Sequence, residues 1–161
     1  MSARVEDGPE KSCTNVADLV DTNVLVYRFD PRFPEKQSRA RGLLRQGIER
    51  DGIRIAHQAI LEFVAAVTRA SRGNEPLLFL DDARREAEEL LHQFTVLYPN
   101  EELLRLALRG QAAYQLNWFD AHMWAYAEHY GLSRLVSEDF QSGRMYGSVL
   151  AVDPFAADWT G

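Results

Sequence analysis

Four acidic side chains, Asp21, Glu62, Asp120 and Asp139, occupy positions where a carboxylate can bind a cation. Asp21 directly follows the short apolar run Val16-Ala17-Asp18-Leu19-Val20, and Asp139 lies two residues past Ser137, at the end of another such run. If both runs are strands of an open parallel sheet, the two acids meet beyond the strands' carboxyl ends, where such sheets bind ligands. Taken singly, Asp21 also suits the N-cap of a helix, and Asp139 reads as a loop acid. Asp120 sits at the start of Phe119-Asp120-Ala121-His122-Met123-Trp124-Ala125-Tyr126-Ala127, a segment apolar on most faces of a helix. A helix of that kind is buried, and a carboxylate on it needs a partner to offset desolvation. The free N–H groups of the first helical turn are the simplest one. Glu62 has Gln58, Ala59, Ala65 and Ala66 as its helical neighbours. No local ion pair accounts for it, and the small residues leave room for something to approach; a solvated helix acid fits the same pattern. Together the four make an oxygen-only donor set, which hard cations such as Mg²⁺ or Mn²⁺ prefer. One or two ions fit equally well. Zinc is disfavoured, because His57, His92, His122 and His129 show neither HExxH nor Cys/His spacing.

The elements that would position these acids alternate between strand and helix. Strands are expected at Val16 to Val20, Ile53 to Ala56, Phe94 to Tyr98, Leu132 to Ser137 and Val149 to Val152. Helices are expected at Thr22 to Phe29, Glu35 to Arg50, Gln58 to Arg72, Pro76 to His92, Glu101 to Gln115 and Phe119 to Tyr130. This order predicts an α/β domain in three layers, α/β/α, with a mostly parallel sheet of about five short strands. The expected domain runs over residues 16–156, after a polar, flexible N-terminal extension (1–15) and before a short tail (157–161).

The chain has 161 residues, 46% hydrophobic and 26% charged, as for a soluble globular domain. No apolar run is long enough to span a membrane. The first fifteen residues lack the apolar core of a signal peptide, and Cys13 is the only cysteine, so a reducing cytoplasm is expected. The net charge of −6 excludes a protein that coats nucleic acid by bulk electrostatics, but not an enzyme whose bound cation faces phosphate. Arg28, Arg32, Arg39, Arg41, Arg45 and Arg144 are candidate phosphate contacts, with Arg28, Arg32 and Arg144 foremost.

The same four acids, in this order, occur in the PIN-domain ribonucleases, and the chain resembles the VapC-type toxins of type II toxin–antitoxin pairs. The resembling segments are Leu19-Val20-Asp21-Thr22-Asn23-Val24-Leu25-Val26-Tyr27, Gln58-Ala59-Ile60-Leu61-Glu62-Phe63, Trp118-Phe119-Asp120-Ala121 and Ser137-Glu138-Asp139-Phe140-Gln141-Ser142-Gly143, with the closing Val149-Leu150-Ala151-Val152-Asp153-Pro154-Phe155. They extend over residues 16–156. The resemblance implies a metal-dependent endoribonuclease that leaves 5′-phosphate and 3′-hydroxyl ends, with Asp21, Glu62, Asp120 and Asp139 as catalytic and metal-binding residues. It assigns Thr22, Asn23 and Ser137 as supporting polar groups. It also implies an antitoxin partner, with Pro76-Leu77-Leu78-Phe79-Leu80 as a candidate contact, and a homodimer. The family's usual tryptophan before the third acid is Phe119 here, with Trp118 one place earlier. The remaining alternatives are a PIN-like domain that mainly binds RNA or protein, and an RNA-processing nuclease that is not a toxin. Phosphatases of the haloacid dehalogenase type need an acid where this chain has Asn23, and they share with receiver domains a lysine in the later half that is missing here.

Overall fold

The computed structural model describes residues 17–70 and 73–159. The expected N-terminal extension, the start of the first strand at Val16, the helix end at Arg72 and the last two residues lie outside the described residues. Six strands alternate with six helices: β1 (Asp18–Val20), α1 (Thr22–Tyr27), α2 (Pro34–Arg50), β2 (Ile53–Ala56), α3 (His57–Val67), α4 (Leu80–Gln93), β3 (Thr95–Leu97), α5 (Glu101–Tyr114), α6 (Trp118–His129), β4 (Arg134–Val136), β5 (Met145–Tyr146) and β6 (Val149–Val152). They form one sheet in the order β3-β2-β1-β4-β6-β5, parallel throughout except where β5 pairs antiparallel with β6. The expected α/β architecture is therefore present, with one strand more than predicted. That strand, β5, joins β6 through Gly147 and Ser148. Gly147 has φ +62, the conformation a two-residue hairpin requires and glycine adopts without penalty.

The strand order places the functional end of the sheet. From β1 the chain builds outward through β2 and β3 on one side, then returns to lay β4 against the other side of β1. The sheet thus has a topological switch between β1 and β4, and the crevice beyond their carboxyl ends is where such sheets bind ligands. Asp21 follows β1 and Ser137 follows β4, and the Asp21 N–H donates to the Val136 carbonyl at 3.0 Å. The strands there are apolar and fully buried (Leu19, Val20, Leu135, Val136), as in a parallel sheet covered on both faces.

Two expected helices are shorter than their apolar patterns. The helix expected to reach Arg72 ends at Val67. Thr68 turns its hydroxyl onto the Val64 carbonyl at 2.7 Å, and the Leu78 N–H takes the Val67 carbonyl at 3.0 Å, so the carbonyls that would continue the helix are already satisfied. The same bond from Leu78 holds Pro76–Phe79 as a connection rather than a helical turn. α4 starts only at Leu80, with Asp81 and Asp82 in its first turn, where acids complement the helix dipole. Leu77 and Leu78 pack against the core, whereas Phe79 is largely exposed.

Candidate metal centre

Asp21 is the N-cap of α1 and accepts from the Thr22 N–H at 2.6 Å. The capping role and the ligand role are compatible, because its second oxygen points to β4. There Oδ2 accepts from the Ser137 hydroxyl at 2.6 Å and, at 3.4 Å, from Asn23 Nδ2. Asn23 Nδ2 also lies 3.0 Å from both Ser137 Oγ and Asp139 Oδ2, and the Asp139 N–H donates to Ser137 Oγ at 3.1 Å. One amide and one hydroxyl thus tie together two acids 118 positions apart in sequence. Glu62, on α3, accepts from Gln58 Nε2 at 2.5 Å and from the Thr22 hydroxyl at 3.3 Å. Asp120 is in the first turn of α6, whose N-cap is Asn117. The Asp120 N–H donates to Asn117 Oδ1 at 2.9 Å, and the Asn117 amide donates back to the Asp120 carboxylate, a reciprocal cap.

All four acids therefore gather at the switch crevice. Among the described residues, none of them is neutralised by an arginine or lysine. They act on one another instead. Burial pushes the Asp21 carboxyl up to about 7; Ser137 and Thr22 oppose the shift, and the negative charges of Asp139 and Asp120 add to it. Asp120 is pushed up to about 6, first by burial and then by Asp139 and Glu62. In both, burial is the main cause and the neighbouring carboxylates add to it.

A testable consequence follows for the protein kept free of metal. Folded Asp21 holds its proton up to about pH 7, whereas an unperturbed Asp releases it at the ordinary value of 3.8. The folded state binds more protons across that window, so its stability is greatest below it and is lost as pH rises through it. Urea denaturation in EDTA is expected to show a lower midpoint at about pH 8 than at about pH 5. The Asp21→Asn variant should lack most of that dependence.

The donor set fits a hard divalent cation such as Mg²⁺ or Mn²⁺. Every candidate ligand is an oxygen, the acids carry unpaired negative charge, and the buried Asn23 Oδ1 beside them has no hydrogen-bond donor. Among the described residues, however, no three acidic, histidine or cysteine side chains stand as a ready ion cage. Glu62 and Asp120 are each hydrogen-bonded to a local amide, Gln58 and Asn117 respectively. The fit is one of chemistry and charge, with those two carboxylates needing to leave their amide donors.

Beside the acids a cleft of about 360 Å³ is lined by Thr22, Asn23, Glu62 and Asp139 at one end and by Tyr27, Arg32 and Phe33 at the other. Arg32 forms a two-pronged pair with Asp30, at 2.8 and 2.7 Å, while remaining half exposed. Arg28 is largely buried against Glu86 and the Phe29 ring. Arg39 and Arg41 donate to backbone carbonyls. Arg144 is exposed over the Tyr146 ring, and Arg45 is exposed on α2. Trp118 packs edge-on to His122, while Phe119 is exposed and its carbonyl accepts from Gln58 at 3.1 Å. Three groups escaped the sequence reading. Gln58 and Asn117 are the amides holding Glu62 and Asp120, and the Asn117-x-x-Asp120 capping pattern was available as a signal. Glu138 is the third: it accepts from the Tyr27 hydroxyl at 2.7 Å and pairs with Lys36, pinning the loop that carries Asp139.

In comparison with known protein families, residues 19–147 match the family described as PIN domain. No curated protein sequence matches the chain. Among solved structures, the chain is similar to a chain of a toxin–antitoxin complex from Klebsiella pneumoniae (16% identity, TM-score 0.60, covering 86% of this chain and 98% of that one). It is also similar to a chain of DNA-bound VapBC from Salmonella typhimurium (13%, TM-score 0.64, 86% and 98%) and to one of FitAcB from Neisseria gonorrhoeae (17%, TM-score 0.59, 86% and 98%). At these identities the likeness is one of fold.

Proposed function

The chain belongs to the PIN domain family, a family of nucleases, and from that premise we propose that it is a divalent-metal-dependent endoribonuclease, the toxin of a toxin–antitoxin pair. The observation that carries the reading is that Asp139, Asp120 and Glu62 lie near enough to act on Asp21 or on one another at the switch crevice, while none of the four acids pairs with an arginine or lysine among the described residues. These four residues would hold the Mg²⁺ or Mn²⁺. The bound ion supplies positive charge at the scissile phosphate and activates the attacking water. Ser137 and Asn23 orient Asp21 and Asp139, so the two carboxylates approach the ion in a fixed relation. Thr22 does the same for Glu62, and the Asn117 cap fixes the start of the helix that presents Asp120. Arg32 and Phe33, which line the cleft, would meet the RNA strand there, and Arg144 would contact it beside the loop that carries Asp139. Arg28 is committed to Glu86 and does not line the cleft.

The toxin role is supported by the fold shared with chains of toxin–antitoxin complexes. It carries with it an antitoxin partner, with exposed Phe79 and Leu80 as contacts, and a homodimeric state. Action in the cytoplasm belongs to the same reading, and among the described residues no helix is long and apolar enough to cross a membrane. The test is cleavage of a defined RNA by purified protein with Mg²⁺ or Mn²⁺ and with EDTA, followed by mapping of the ends. Metal-dependent cuts leaving 5′-phosphates are expected. Cleavage that persists in EDTA, or none with either metal, would refute the reading.

Ser137 offers a subtler check. Its hydroxyl contacts Asp21, Asn23 and the Asp139 backbone without being one of the four acids. Removing such a support weakens metal affinity by about 10–100-fold. Ser137→Ala should therefore need correspondingly more Mn²⁺ for half-maximal cleavage, with its rate at saturating metal much less affected. An unchanged Mn²⁺ requirement would remove Ser137 from the supporting role.

A further inference from the structure

A second cavity, of about 370 Å³, lies at the opposite edge of the sheet from the acids. Its floor is the side of the sheet that faces α2, formed by Val20, Ile53 and Val136. At its rim the first residues of three strands stand abreast. Asp18 is opposite Ile53, and the pairing of Leu19 with Leu135 puts Arg134 next to Asp18 on the other side. Arg39 and Arg50 line the cavity from α2, so three guanidinium groups and one carboxylate share it.

The segment after β6 borders the cavity through Trp159. Arg39 Nη1 donates to the carbonyls of Ala156 and Pro154, at 2.6 and 3.3 Å, and so ties this segment down over α2. Trp159 then reaches the rim, with the Arg134 guanidinium 5.4 Å from its ring centroid. Among the described residues, Arg39 has no carboxylate partner. The contacts of Arg39 are neutral carbonyls. Arg134 Nε is 3.4 Å from Asp18 Oδ1, an ion pair, yet it is buried without a hydrogen bond.

A cavity of this size is within the range of small-ligand sites. Guanidinium groups match the oxygens of a phosphate. An indole ring can stack on a flat base, and a carboxylate beside a phosphate site can accept from ribose hydroxyls. We propose that this cavity binds a mononucleotide, with its phosphate on Arg134 and Arg39, its base against Trp159 and its sugar hydroxyls on Asp18. The site is separate from the acidic crevice and does not depend on the nuclease reading.

Calorimetric titration of the full chain with AMP, in EDTA so that the acidic crevice holds no metal, tests the proposal. Inorganic phosphate and adenosine serve as the two partial ligands. The expected result is saturable AMP binding at one site, tighter than either partial ligand. Arg134→Met and Trp159→Ala should each weaken it by about tenfold or more, the loss of one strong contact. Asp21→Asn should leave it unchanged. Trp159 lies outside the strands, so its substitution keeps the test valid should Arg134→Met fold poorly, which melting temperatures would reveal. No AMP binding at millimolar concentration would overturn the proposal. So would binding indifferent to Trp159→Ala, or sensitive to Asp21→Asn.

Discussion

Asp21→Asn is expected to abolish metal-dependent RNA cleavage, by about a thousandfold or more, while leaving the protein folded and at least as stable as the wild type in EDTA. Losing one group that stabilises transition-state charge commonly costs about 10²–10³ in rate, and Asp21 additionally anchors the ion that would supply that charge. Folding should survive for a reason visible in the hydrogen bonds. An asparagine keeps an oxygen for the Thr22 N–H at 2.6 Å, and the charge it removes offsets a weaker contact to Ser137, whose hydroxyl oxygen already accepts from Asn23 and the Asp139 N–H. Stability without metal should not fall, because the substitution removes a buried charge held against Asp139 and Asp120. Cleavage assays and urea denaturation on the same preparation check both halves. An Asp21→Asn protein that cuts RNA at the wild-type rate would contradict the site assignment.

Gly110→Ala should destabilise the protein by about 2 kcal/mol, although Gly to Ala inside a helix ordinarily stabilises by about 1 kcal/mol. Gly110 lies on α5, where a β-carbon would fall 2.0 Å from Cζ3 and 2.4 Å from Cε3 of Trp124 on α6. That ring cannot swing aside. It is buried, its indole N–H donates to the Tyr146 carbonyl at 2.8 Å, and Tyr114 packs edge-on to it. The helices must therefore separate, and α6 carries Asp120. Thermal melts should show a fall of several degrees, accompanied by a weaker response to Mn²⁺. A melting temperature equal to or above that of the wild type would show that the α5–α6 contact tolerates the extra methyl.

How much of this was legible in the sequence differs by level. The positions of Asp21 and Asp139 could be read because a parallel sheet sends its strand ends to one edge, and two short apolar runs sufficed to mark those ends. Asn23 and Ser137 emerged only through the family resemblance, since their role depends on a contact between positions 114 apart in sequence. Gln58 and Asn117 were missed for the opposite reason. Each is a local donor three or four residues from its acid, and the acids drew attention to absent cations rather than to available amides. Helix ends shifted where tertiary contacts claimed a carbonyl, as Leu78 does at Val67. β5 is only two residues long, too short for a periodic pattern, although Gly147-Ser148 is a recognised hairpin signal. Nothing in the composition distinguished arginines facing solvent from those, such as Arg28 and Arg39, committed to Glu86 or to backbone carbonyls.

The central claim is that four carboxylates share one crevice and hold a divalent cation there. Thermal melting at neutral pH over a Mn²⁺ titration addresses it most directly, comparing wild type with Asp21→Asn. Binding to the folded state alone predicts a rise that grows with the logarithm of the Mn²⁺ concentration, about 2.7 kcal/mol at a hundredfold excess over the dissociation constant. That corresponds to several degrees in a chain of this size, with no rise in Asp21→Asn. A wild-type melting temperature indifferent to Mn²⁺, or the same rise in both proteins, would contradict it.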